Sequence, residues 1–183
     1  LHGPGHAFDY LLSSEEFMAD HPEWFGLRDG NRVPQRYGGA QFCWSNPEAR
    51  RQFVENTRTF VASCPQIRIL YIAPFDGGPA CECDECRRVG AGSLLMTLMG
   101  EVIESLADRA PDVHVEALGG YHPVQEPPTG VDIHPRQRIV WAHWGRFHGE
   151  GYDDDQYGRK DNLEQWRQAA QGGMTLCQYY TDN

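Results

Sequence analysis

"IRILYIAPF", residues 67–75, is a near-continuous apolar run. A strand with one wet face alternates apolar and polar residues, whereas a strand covered on both faces, as in a parallel sheet under helices, does not. The run therefore predicts a buried strand of an α/β fold. Immediately before it, "NPEARRQFVENTRTFVASC", residues 46–64, reads as a helix with Asn46 as N-cap and Pro47 at the first helical position. Phe53, Thr57, Phe60 and Val61 fall on its buried face. Further back, "AQFCWSN", residues 40–46, reads as a strand end.

On the other side of the run comes a cysteine-rich loop, "DGGPACECDECRR", residues 76–88. A helix then begins at Ser93 and stops by Pro111. The runs "VHVEALGGY", "QRIVWAHWG" and "MTLCQYY" read as further strands, and "NLEQWRQAAQ" as a helix ended by Gly172 and Gly173. Between the elements lie polar loops, among them "RDGNRVPQRYGG" and "GRFHGEGYDDDQYGRKD". About five strand-like runs and three or more helices in this order form a subset of the eight units of a (β/α)8 barrel. The expected architecture is a partial, TIM-barrel-like domain over residues 1–183, truncated at both ends.

Composition narrows the partners. The 183 residues are 40% hydrophobic and 23% charged, as in a globular domain with one sizeable core. A net charge of −10 argues against a sequence-independent grip on nucleic acid, which needs a clustered basic surface to displace counterions. No run approaches the roughly 20 apolar residues that span a bilayer, so no membrane partner is expected. A neutral or polar substrate fits the charge better.

In parallel α/β folds, function gathers at the C-terminal ends of strands, where loops vary on a fixed scaffold. That rule selects "CWSN", "PFDGG", "GGYH", "HWGRFHG" and "YYTDN". The blocks "GHAFDYLLSSEEFMADHPEWFGLRDGNRV", "QFCWSNPEARRQFVENTRTF", "APFDGGPACECDEC" and "LEQWRQAAQGGMTLCQYYTDN" together resemble the bacterial family called domain of unknown function 4838. That family sits in glycan-degrading multidomain proteins and is related to glycoside hydrolase family 163, endo-acting β-N-acetylglucosaminidases built on a (β/α)8 barrel. The resemblance implies a carbohydrate substrate, a secreted, periplasmic or cell-surface setting, and further strands beyond residue 183. Fold-level analogy does not name a reaction.

Asp76 follows the buried strand and precedes two glycines, so its carboxylate is expected at the mouth of the sheet, to protonate a leaving oxygen or orient an N-acetyl group. The bland alternative is a loop cap, as Asp before Gly often is. Glycoside hydrolysis usually needs a second carboxyl group, and Asp182 after the last strand is the candidate by position. Trp144 and His143, with Tyr179 and Tyr180, offer flat faces and donors that suit a sugar ring; His6 and Trp44 match family blocks at strand ends. An aromatic there is as readily core as platform. For Asn46 the helix-cap reading is preferred.

Cys81, Cys83 and Cys86 form C-x-C-x2-C, three soft ligands that can wrap a tetrahedral zinc if a fourth joins. Cys43 is the natural fourth, with His2 and His6 as alternates. Disulfides and reduced thiols remain open. Four protein ligands would make the zinc structural, with no cofactor needed for catalysis. Thioredoxin-type chemistry is not expected, since Gly90 and Gly92 separate the C-x-x-C from the next helical run. Two rivals to a hydrolase follow: a non-catalytic carbohydrate-binding or structural module stapled by zinc, and a zinc-dependent hydrolase with an open metal position.

Overall fold

The computed structural model describes residues 5–142 and 159–177. Two single-turn helices, α1 (Phe8–Leu11) and α2 (Ser14–Phe17), lead into a hairpin of β1 (Gly26–Arg28) and β2 (Asn31–Val33). The hairpin lies inside a stretch whose polarity reads as loop. Its turn is Asp29-Gly30, both at positive φ (50° and 77°), the mirror-image turn whose twist matches paired strands.

Helix α3 (Pro47–Ser63) starts as expected: the Asn46 side chain accepts from the Glu48 and Ala49 N–H groups, both at 3.0 Å. Ala49, Phe53, Thr57 and Val61 are buried, while Phe60 is only half-buried and carries Tyr10 edge-on at 6.0 Å. After β3 (Ile69–Ile72), the cysteine loop runs into a short helix, α4 (Asp84–Val89), that sequence periodicity does not reveal. Gly90, at φ 86°, closes α4 and opens α5 (Ala91–Ser105), so α5 begins two residues before Ser93 and ends well before Pro111. Then follow β4 (His114–Gly119), β5 (Gln137–Ala142), α6 (Arg159–Ala169) and β6 (Met174–Cys177).

Strands β3, β4, β5 and β6 pair in chain order, all parallel, with Leu70 opposite Val115, Ala117 opposite Ile139 and Ile139 opposite Met174. A parallel bridge between His6 and Ala73 adds the N-terminal segment beside β3. The expected strand at residues 40–46 is not in this sheet. Its N–H groups at Gln41 and Cys43 bond instead to the Pro79 and Trp24 carbonyls, at 2.8 and 2.7 Å. The architecture is therefore mixed α/β around a four-stranded parallel sheet, and among the described residues that sheet stays open. No described helix is long and apolar enough to cross a membrane.

The main core lies on one face of the sheet. Leu70, Ile72, Val115, Ala117 and Ile139 pack with the buried residues of α3 and α5. Helix α5 is apolar nearly all round, as suits a helix with neighbours on several sides. The opposite face carries a smaller cluster of Ala73, Leu118 and Ala142, with Tyr71, Tyr121 and Cys177 against it. Residues 120–136 cross from β4 to β5 without a helix and are tied to α6 at one carbonyl. Gln125 O accepts from Trp166 Nε1 at 2.9 Å and from Asn162 Nδ2 at 3.0 Å, and Asn162 Oδ1 accepts from Trp141 Nε1 at 3.1 Å.

Trp166 is fully buried against the bare backbone of Gly119. Trp166→Ala should cost about 3–5 kcal/mol, read as a lowered urea midpoint, since it leaves a cavity and removes one of the two hydrogen bonds to the Gln125 carbonyl. Tyr10→Ala, at a residue 73% exposed, should stay within about 0.5 kcal/mol in the same assay.

Candidate functional site

Four cysteine sulfurs meet where the hairpin, the residue 40–46 segment and the loop after β3 come together. Cys43 comes from that segment, Cys81 from the loop, Cys83 from the N-cap of α4 and Cys86 from within α4. Their sulfurs all lie within 4.8 Å of one another, and this group could hold a metal ion. Cys43 Sγ is 3.7 Å from Cys83 Sγ and 3.8 Å from Cys86 Sγ. A tetrahedral site with metal–sulfur bonds of about 2.3 Å places its sulfurs about 3.8 Å apart, so the chain already holds those pairs at ligand spacing. All six cysteines are free, Cys64 and Cys177 standing apart from the cluster.

The surroundings suit sulfur that carries charge. The Leu27 N–H donates to Cys81 Sγ at 3.3 Å and the Cys83 N–H donates to it at 3.5 Å, with Arg32 Nη1 at 3.9 Å. Ser45 Oγ lies 3.3, 3.4 and 3.2 Å from the sulfurs of Cys43, Cys83 and Cys86. With four thiols packed together, one is favoured as thiolate by donors around it. Hydrogen bonds from Cys81 and Cys86 pull the Cys43 thiol far down, and donating to Cys43 pushes Cys81 up to about 11 and Cys86 higher still. The C-x-x-C does open a helix, contrary to the reading from Gly90 and Gly92, because α4 fits between Cys83, its N-cap, and Gly90.

A second constellation sits at the strand ends. Asp76 follows β3, and Tyr121, just past β4, donates from its hydroxyl to Asp76 Oδ1 at 3.2 Å. Partial burial, and then the Asp76 carboxylate, push the Tyr121 phenol up, so it stays a donor at neutral pH. The loop that presents Asp76 is clamped from below by Gln41, a fully buried side chain. Gln41 Nε2 donates to the Phe75 and Gly78 carbonyls at 2.7 and 2.8 Å, and its Oε1 accepts from the Phe75 N–H at 2.8 Å. Gln41 stands two residues before Cys43, so one short segment anchors both constellations.

His6 is near this end, its Nδ1 2.5 Å from the Pro74 carbonyl, and it is no part of the cysteine group. Trp44 lies elsewhere than expected. It is 2% exposed, with its ring centroid 5.9 Å from that of Phe8 and 6.5 Å from that of Phe42, so it is core and has no face for a sugar. Asp182, His143, Trp144, Tyr179 and Tyr180 fall outside the described residues, as does the alternate ligand His2.

Gln41, Ser45 and Tyr121 are the participants that motif reading misses. Tyr121 belongs to a strand-end block, and Gln41 is a lone amide among apolar neighbours, which are the signals that could have marked them. The family model described as Domain of unknown function (DUF4838) matches residues 2–182. The chain belongs to this family. No curated protein and no solved structure matches it. The DUF4838 match spans both the cysteine group and the Asp76–Tyr121 pair.

The DUF4838 chain purified with zinc should carry one ion, counted by plasma emission. Cys81→Ser or Cys86→Ser should abolish loading, while Cys64→Ser should leave it intact. Cys81 and Cys86 are held protonated at neutral pH, so loading must expel their protons, and zinc affinity should fall as pH is lowered. Calorimetry in buffers of different ionisation enthalpy reads the released protons directly.

Proposed function

We propose that this DUF4838 domain is a glycan-active hydrolase domain. Its strand-end face would cleave O-glycosyl bonds in N-acetylglucosamine-containing glycans by acid-assisted hydrolysis, and a structural zinc in the cysteine group would hold the loops beneath. The observation that carries the reading is the Asp76–Tyr121 pair, a carboxyl group and a phenol set side by side at the C-terminal ends of neighbouring parallel strands. That is where enzymes on parallel α/β scaffolds place their chemistry.

Tyr121 occupies one carboxyl oxygen of Asp76, which leaves the other for substrate. Asp76 would meet either the leaving oxygen or the acetamide beside the reacting carbon, and Asp182 is the proposed second acid. Four parallel strands in chain order, with a bridge to the N-terminal segment, are what one arc of a (β/α)8 barrel requires. The face bearing Tyr71 and Leu118 would then be the interior of that barrel.

The cysteine group supports a structural rather than catalytic metal. Four thiolate ligands close a tetrahedral shell and leave no position for an activated water. A second reading, carbohydrate binding without turnover, is favoured by the acids of the cysteine loop. Glu82 accepts from the Asp29 N–H at 3.0 Å and pairs with Arg87 at 3.4 Å, while Arg88 holds Glu85 in a two-point pair. Neither is turned to serve as partner to Asp76.

The test is turnover of N-glycans and aryl β-N-acetylglucosaminides by the protein and by Asp76→Asn. Loss of about a hundredfold or more in rate is expected for a lost acid–base group. Binding of the same glycans without any cleavage would select the second reading. Chelation of zinc should lower the melting temperature and take activity with it in proportion to unfolding, whereas loss of activity from a chain still folded would point to a catalytic metal.

A further inference from the structure

Tyr37 is 89% exposed, the most exposed of the large apolar residues described. Tyr10 is also exposed, but its ring rests edge-on against Phe60. What stands beside Tyr37 is the turn after β3. A Cβ placed on Gly77 would lie 3.8 and 3.9 Å from Tyr37 Cδ2 and Cε2, so the edge of the ring borders the turn one residue from Asp76.

The loop that carries Tyr37 is pinned at both ends. Gln35, itself buried, receives a hydrogen bond at Oε1 from the Phe42 N–H, donates from Nε2 to the Leu12 carbonyl at 2.8 Å, and donates its N–H to Ser14 Oγ at 2.8 Å. Arg28 Nη1 donates to the Gly38 and Gly39 carbonyls at 2.7 and 3.0 Å. Beyond Gly39 the chain passes at once into Gln41, which clamps the Asp76 loop. One covalent segment therefore anchors both the backbone that bears the exposed ring and the loop that bears the carboxylate.

We propose that Tyr37 is the stacking platform of a sugar subsite next to Asp76, an inference that rests on the glycan-active reading above. A pyranose with equatorial substituents has an apolar C–H face that matches an aromatic ring, while its hydroxyl and acetamide groups need acceptors and donors at the rim. Tyr37 supplies the ring, and Asp76 and Tyr121 supply the rim. Because the backbone that carries the ring is pinned on both sides, sugar binding has to order only the Tyr37 side chain and not the loop.

The experiment is calorimetric titration of a trisaccharide of β-linked N-acetylglucosamine into the full chain, into Tyr37→Ala and into Tyr37→Phe, with thermal melting of each. Tyr37→Ala should bind about tenfold more weakly, the loss expected when one ring face is uncovered, with an unchanged melt. Tyr37→Phe should stay within about twofold, since the ring is kept. Equal affinity of Tyr37→Ala and the parent would overturn the platform and leave the glycan reading standing. Equal losses in Tyr37→Ala and Tyr37→Phe would also overturn it, by assigning the contact to the hydroxyl. A parent that binds no trisaccharide would remove the glycan reading and the platform together.

Discussion

Four sulfurs from two distant parts of the chain share a space less than 4.8 Å across, and much of the structure outside the sheet is arranged around that meeting. The hairpin reaches it through the Leu27 N–H, and the N-cap of α3, Asn46, directly follows Ser45, whose hydroxyl touches three of the sulfurs. Helix α4 is built between Cys83 and Gly90 with Cys86 facing in. These elements have little sheet of their own, since β1 and β2 pair only with each other. A covalently strong, closed coordination shell can hold such segments where apolar burial alone would be thin.

The same arrangement governs the strand-end face. Gln41 lies between the Tyr37 loop and Cys43, and its amide satisfies backbone groups on both sides of Asp76. A buried amide with both ends satisfied is rigid, because breaking any one bond leaves a polar group dry. The carboxylate is thus positioned by two independent supports, the clamp below and Tyr121 beside it. The sheet supplies the third constraint, since parallel pairing of β3 with β4 brings the ends that carry Asp76 and Tyr121 into line.

Much of this was legible in local sequence. The apolar runs marked all four strands of the main sheet, and Asn46-Pro47 marked the start of α3, because burial and capping act over a few residues. The cysteine spacing pointed to a ligand group, and Cys43 was singled out as its fourth member. Trp44 was misplaced for a simple reason: a strand-end position does not say which way the side chain turns, and this one turns into Phe8 and Phe42. The hairpin was hidden because β1 and β2 are three residues each, too short for a period to show, although the Asp-Gly pair between them is a turn signal.

Sequence by itself determined the long helices, the four strands of the parallel sheet and which residue kinds were available for chemistry, since propensity, capping and hydrophobic period are local properties. Tertiary structure alone decided that Gln41 clamps the Asp76 loop, that Tyr121 donates to Asp76 across 45 residues, and that Tyr37 stands at the same turn. It also decided that the residue 40–46 segment serves the cysteine group and not the sheet. The physical reason is that these contacts join groups far apart in the chain. Their geometry follows from how whole elements pack, and no spacing along the sequence encodes it.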